Sequence, residues 1–299
     1  MSGKPLLLAA LALAGCTPQE APSALATAPT GKTLAATCAG REGWSDPAPP
    51  AKIFGNSYYV GTCGISAVLI DTAAGLVLID AATEEAAPSI LANIRTLGFD
   101  PKNVRFLLTS HEHLDHVGGL KALQDATGAQ VVARPEAMAA LTSGEPDATD
   151  PQRGGIPPFR GVAVARTVFD GEMLKIEGLR LTAHATPGHT PGGTSWTWRS
   201  CEGSDCRIIA YVDSLSAVSA DGYRFVDHPD YVATFRATFA KVEALPCEIL
   251  LTPHPGASNL FARLANPATL ANPESCRAYA AGARMRLADR LASESTPPK

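Results

Sequence analysis

Thr109-Ser110-His111-Glu112-His113-Leu114-Asp115-His116-Val117-Gly118-Gly119 places three imidazoles and a carboxylate within six residues. The stretch follows an apolar run, residues 104–109, that reads as a buried strand. Imidazole and carboxylate donors together suit Zn²⁺ and several neighbouring transition metals. Side chains alternate along extended backbone, so His111 and His113 point to one side and can hold one ion. A turn into a following helix aims Asp115 and His116 at a second ion, and Gly118-Gly119 permit close packing there. By the same alternation Glu112 points away, toward solvent or toward hydrogen bonds behind the ligands. A solvated loop would not concentrate so many donors at a strand exit.

Four ligands are too few for two ions. His189 in Thr186-Pro187-Gly188-His189-Thr190-Pro191-Gly192-Gly193 and His254 in Leu251-Thr252-Pro253-His254-Pro255 both follow apolar strand-like runs and sit in Gly/Pro turns. Three protein ligands per ion then assign His111, His113 and His189 to one, and Asp115, His116 and His254 to the other. Each ion keeps an open position. Two such ions, about 3.5–4 Å apart, lower the pKa of a shared water to about 7 and polarise a carbonyl oxygen. Carbonyl hydrolysis by a metal-activated hydroxide is the expected reaction class, with Asp115 as the catalytic residue that orients the nucleophile and shuttles a proton. His184, inside a strand, is expected to be structural. His228, in Val226-Asp227-His228-Pro229-Asp230, reads as a surface or turn residue.

Outward from this centre, residues 52–60, 65–71 and 76–79 read as strands, and 84–97 as a helix closed by Gly98. A helix follows Gly118, and 130–133 is another strand. Residues 142–160 contain three Gly and four Pro, which predicts a long loop of the kind that often serves as a lid. Strands resume at 162–169, 173–176, 179–184, 194–198 and 207–212. A helix at 231–245, a short strand at 248–252 and a terminal helix at 274–291 complete the pattern. Strands followed by helices, twice over, predict two packed β-sheets with helices outside. The 299 residues are 45% hydrophobic, enough for one large domain or two small ones with a substantial core. Only 18% are charged, the formal charge is −4, and no basic patch appears. Disordered acidic proteins and nucleic-acid binders are disfavoured.

The N-terminus reads as a targeting segment. Lys4 precedes an apolar run, residues 5–14, shorter than the roughly 20 residues a membrane anchor needs and typical of a signal peptide. Residues 1–15 are assigned to that signal. Leu13-Ala14-Gly15-Cys16 resembles a bacterial lipobox, which would lipidate Cys16; an ordinary cut near Ala24-Leu25-Ala26 is the competing reading. Residues 16–43, rich in Ala and Pro, are expected to be a flexible tether to a catalytic domain at 44–299. Six cysteines remain: Cys38, Cys63, Cys201, Cys206, Cys247 and Cys276. An even count in an exported protein reads as disulfides, with 15 connectivities open. Cys201 and Cys206 look like a hairpin staple, and zinc binding by the cysteines lacks a supporting Cys-x-x-Cys pair.

With His-x-His-x-Asp-His at 111–116 and histidines at 189 and 254, the chain resembles the metallo-β-lactamase superfamily over about residues 44–295. The resemblance implies an α/β fold, an αβ/βα four-layer sandwich, with two Zn²⁺ ions at the rim between the sheets. That superfamily includes thioesterases, lactonases, nucleases and true β-lactamases, so the fold leaves the substrate open. Thr-Pro-Gly-His-Thr-Pro-Gly-Gly-Thr-Ser-Trp at 186–196 is similar to the third subclass of the β-lactamases. So is Asp213-Ser214-Leu215-Ser216, where Ser replaces a ligand Cys of the first subclass. The resemblance implies that Ser214 and Ser216 contact a substrate carboxylate, as hydroxyl donors can; simple turn residues are the plain alternative. It implies the pairs Cys38–Cys63, Cys201–Cys206 and Cys247–Cys276, and it sets Gln152, Ile156 and Phe159 beside the substrate. Asp213 is read as outside the ligand set, whereas thioesterase-like and lactonase-like members would make it a metal bridge. The expected protein is a periplasmic, monomeric dizinc β-lactamase whose partner is a small-molecule β-lactam. An exported lactonase or thioesterase is the alternative, and a non-catalytic envelope lipoprotein is the reading from another class.

Overall fold

The computed structural model describes residues 29–295. The expected signal at residues 1–15 and lipidation at Cys16 fall outside the described residues. In chain order the elements are α1 (Gly31–Thr37), β1 (Ala51–Phe54), β2 (Ser57–Tyr59), β3 (Val68–Thr72), β4 (Gly75–Ile79) and α2 (Ala87–Thr96). Then come β5 (Val104–Leu108), α3 (Leu114–Val117), α4 (Leu120–Thr127), β6 (Gln130–Ala133), α5 (Pro135–Ser143) and β7 (Val164–Thr167). The second half contains β8 (Met173–Ile176), β9 (Leu179–Ala185), β10 (Thr194–Glu202), β11 (Asp205–Tyr211) and α6 (Pro229–Glu243). It closes with β12 (Ile249–Leu251), α7 (Leu260–Ala265) and α8 (Ser275–Ser295).

The strands form a seven-stranded sheet in sequential order β1 to β7 and a five-stranded sheet in the order β12-β11-β10-β9-β8. Strands β4 to β7 run parallel, and β11 pairs parallel with β12. Alternation sorts each strand's side chains between layers. Val68 and Ile70 of β3, Val77 and Ile79 of β4, and Ile209 and Tyr211 of β11 enter the core between the sheets, with Trp196 and Trp198. Leu69, Leu78 and Leu107 face outward onto Ile90, Ile94 and Leu123 of α2 and α4. Ala210 and Leu250 face outward onto Phe235, Phe239 and Leu287 of α6 and α8. Helix, sheet, sheet, helix is the expected four-layer sandwich.

Two expectations change. The single strand at 52–60 is a hairpin, because Gly55 takes φ +57° and turns the chain between β1 and β2. The tether at 16–43 is structured from Gly31 onward. Thr30 accepts the Thr33 amide at 3.3 Å as a cap, and Leu34 is fully buried. Gly31 lies so close to α7 that a Cβ would fall 2.2 Å from the Leu264 carbonyl oxygen. One buried leucine on seven residues is too short a pattern to register as a helical period. The structure contains the disulfides Cys38–Cys63, Cys201–Cys206 and Cys247–Cys276.

Candidate metal centre

The site sits where several carboxyl-terminal strand ends converge. β5, paired in parallel with β4 and β6, carries the chain into Ser110–His113. His113, in extended conformation, begins α3, whose turn presents Asp115 and His116. A Cβ on Gly119 would fall 2.3 Å from the Ala81 carbonyl oxygen, so only glycine lets this turn seat against the end of β4. His189 arrives on the β9–β10 connection and His254 just after β12.

All six predicted ligands converge. The ring of His111 lies 4.9 Å from that of His113, 4.7 Å from that of His189 and 4.1 Å from that of His116. Donor atoms of His111, His113 and His189 lie within 4.8 Å of one another, as do those of His111, Asp115 and His116. His254 Nε2 completes the second corner, 3.3 Å from His116 Nε2 and 3.3 Å from Asp115 Oδ2. Five of the six are buried; His254 alone keeps a substantially exposed side chain. His184 stays apart, its Nε2 2.8 Å from Thr197 Oγ1 across the sheet, and His228 is exposed, stacked on Tyr223.

Three of the four buried imidazoles are hydrogen-bonded from behind, as metal-binding histidines usually are, and the fourth faces a carboxylate. His111 Nδ1 lies 2.7 Å from Asp213 Oδ1, leaving Nε2 buried without a partner. His113 Nε2 lies 2.8 Å from Asp150 Oδ2, which leaves Nδ1 for the cluster. His189 Nδ1 donates to the Ser216 carbonyl at 2.9 Å, with the Ser216 hydroxyl at 3.1 Å. His116 Nδ1 lies 3.6 Å from Asp80 Oδ2. Asp80 takes φ +63°, and bonds from the Ser110 amide, the Ser110 hydroxyl and the Tyr211 hydroxyl hold it there.

Sequence reasoning missed Asp80 and Asp150. Asp80 left a trace, as a carboxylate ending the apolar strand beside β5; Asp150 left none in its Pro/Gly-rich loop. Glu112 points away from the cluster as expected, but it is buried rather than solvated. It accepts the Thr190 hydroxyl and the Gly192 amide, both at 2.8 Å, and so pins the turn that carries His189. Phe159 is half-buried and packs against the helix-side core of the first sheet.

Electrostatics fit a cation site. Asp80, Glu112, Asp115, Asp150 and Asp213 are all buried, and among the described residues none pairs with lysine or arginine. Burial drives Asp213 well above the usual carboxylate range, and Asp80 adds to this. Burial and the surrounding imidazoles hold His111 well below the usual range, and burial and His113 lower His189 to about 3. Both therefore offer neutral lone pairs. Burial opposes charge on His116, but Asp115 and Asp80 outweigh it and raise the imidazole to about 10. Asp115, although buried, is held well below its normal range by His116 and His254. Buried acids without cationic side chains, beside imidazoles with free nitrogens, are what divalent ions would complete.

A two-sheet sandwich bearing two adjoining His/Asp corners at one rim defines a metal-dependent hydrolase scaffold. The chain belongs to the metallo-β-lactamase superfamily, whose family model matches residues 60–201. MIM-1, a metallo-β-lactamase from Novosphingobium pentaromativorans, is 52% identical with a TM-score of 0.86, over 88% of this chain and 98% of MIM-1. MEM-A1, a subclass B3 metallo-β-lactamase from a soil metagenome library, is 43% identical with a TM-score of 0.81, over 85% and 99%. Among curated relatives, the N-acyl homoserine lactonase AttM of Agrobacterium fabrum is 34% identical over 120 residues. That match covers 36% of this chain and 40% of AttM, so the chain spans less than half the length of this curated relative.

Proposed function

We propose that this chain is an exported dizinc β-lactamase that opens the lactam amide of penicillins, cephalosporins and carbapenems, and so confers antibiotic resistance. The observation that carries the reading is the pair of adjoining corners, His111/His113/His189 and Asp115/His116/His254, in a chain similar along most of its length to metallo-β-lactamases. When bound there, two Zn²⁺ ions would supply a water of pKa near 7 and an electrophile for the carbonyl oxygen. The protein's part is orientation. Asp213, Asp150 and the Ser216 carbonyl fix three imidazole rings from behind, and Asp80 faces the fourth at 3.6 Å. Asp115, kept ionised by His116 and His254, is placed to accept a hydrogen bond from the attacking water and would carry its proton to the lactam nitrogen as the C–N bond breaks.

Ser214 and Ser216 follow β11, at the same rim. The Ser216 oxygen accepts from His189 while its own proton remains free to meet a substrate carboxylate. Gln152 reaches the same edge, its side-chain amide 3.4 Å from His189 Nε2. The three disulfides support export to an oxidising periplasm, where such antibiotics act. Similarity to MIM-1 over 88% of this chain, against a match to the lactonase AttM over 36% of it, supports the lactamase reading over the lactonase one.

Zinc-loaded protein assayed against a penicillin, a cephalosporin, a carbapenem and a lactone tests the proposal. Lactam turnover abolished by chelation and restored by zinc is expected. Lactone turnover alone would transfer the site to the alternative activity.

A further inference from the structure

Residues 145–156 form a segment of their own beside the cluster. Its turns are mostly local: Asp147 Oδ1 accepts the Thr149 amide at 2.8 Å, and the Arg153 amide donates to the Asp150 carbonyl at 3.0 Å. Beyond these, and the bond from the Glu145 amide to the adjoining Ser143 hydroxyl at 3.1 Å, three contacts reach distant parts of the chain among the described residues. Asp150 bonds His113, the Ala220 amide donates to the Pro151 carbonyl at 2.9 Å, and the Gln152 side-chain amide lies 3.4 Å from His189 Nε2. That nitrogen is the one a metal ion would take, so only the first two can persist with metal bound. Behind the segment lies a cavity of about 610 Å³ bordered by Tyr223, His228 and Tyr231 rather than packed core. Pro146, Asp150 and Pro151 are buried, while the other nine residues are exposed or half-buried, so packing holds the segment at only a few points.

Asp150 joins the two roles. Its Oδ2 meets His113 Nε2 at 2.8 Å, while its Oδ1 accepts the Gln152 amide at 2.7 Å and sets the turn that aims Gln152 at His189. Its side chain is fully buried, so water does not compete for either bond. We propose that Asp150 is a positioning residue that latches the 145–156 segment to the first metal corner, so that metal occupancy at His113 orders the loop carrying Gln152.

The physics is reciprocal. A cation on Nδ1 draws electron density from the ring and makes Nε2–H a better donor to Asp150, and Asp150 in turn makes the imidazole a better ligand. Linkage requires equal coupling in both directions. Whatever Asp150 adds to metal affinity, metal returns to the order of the segment, and with it to the placement of Gln152. The inference rests on the reading of His113 as a metal ligand but not on the identity of the substrate.

Arg153 is exposed within the segment, so tryptic cleavage after it, read by mass spectrometry against cleavage after exposed Arg277, reports loop order without an activity assay. In the wild-type chain zinc should slow cleavage at Arg153 at least roughly tenfold relative to Arg277, the scale on which such outer partners act. In Asp150→Asn zinc should change that ratio less than twofold, and chelator competition should show weaker binding of one ion by roughly 10–100-fold. Asp147→Ala, which removes the acceptor of the Thr149 amide and hydroxyl without touching His113, should raise cleavage equally with and without zinc. Zinc binding that leaves wild-type Arg153 cleavage unchanged would overturn the latch, as would full zinc protection in Asp150→Asn. No zinc binding by the wild-type chain would instead overturn the metal reading beneath it. The wild-type comparison stands even if Asp150→Asn does not fold.

Discussion

His111 Nδ1 lies 2.7 Å from Asp213 Oδ1, and both side chains are wholly buried at the mouth of the sandwich. The bond consumes the nitrogen that faces the second sheet and leaves the other aimed at the cluster. Asp213→Ala should therefore weaken zinc binding by roughly 10–100-fold in a chelator competition. Asp213→Asn, whose amide oxygen can still accept from Nδ1–H, should lose less. Equal affinity in wild type and Asp213→Ala would remove the orienting role.

Glu112 performs the matching task for the His189 turn. Replacing it with Ala strands the Thr190 hydroxyl and the Gly192 amide in a buried site, at a cost of roughly 1–3 kcal/mol per group. Thermal unfolding of the zinc-loaded protein should show a fall of several degrees, with Glu112→Gln intermediate. An unchanged Tm in Glu112→Ala would show that the turn is held by something else.

His184 should act on stability alone. Burial lowers its pKa below the usual 6.5, with Asp170 partly opposing. The folded chain thus binds fewer protons here than the unfolded chain, and stability falls as pH drops below about 6.5. His184→Gln should flatten the decline of Tm between about pH 7 and pH 5 while leaving zinc content unchanged. Parallel Tm profiles would contradict the sign, and lost zinc would restore His184 to the ligand question.

The disulfides differ in the loop each closes, with sequence separations of 25, 5 and 29 for Cys38–Cys63, Cys201–Cys206 and Cys247–Cys276. Chain entropy assigns about 3.5 kcal/mol to each of the two long loops and about 2 kcal/mol to the short one. Paired Cys→Ala variants should lose Tm in that order, with Cys201/Cys206 the mildest. A larger loss there would mean that the β10–β11 hairpin is strained without its staple.

Local pattern made much of the molecule legible in its residues. The periods of apolar side chains specified two sheets and their covering helices, since burial demands alternation in strands and a stripe on helices. The density of donors at 111–116 and the turns at 189 and 254 named all six residues that converge, because imidazoles clustered at strand ends carry a chemical signature of their own. Only tertiary structure decided what stands behind them. Asp80 and Asp150 reach His116 and His113 across separations of 36 and 37 residues, and a lone aspartate at such a distance has no local mark. Helix α1 was hidden for a related reason: one buried leucine becomes a reason to fold only when α7 and Cys63 are there to receive it. Short-range periodicity wrote the framework and the ligands, while long-range contacts decided which nitrogen of His111, His113 and His189 faces the cluster.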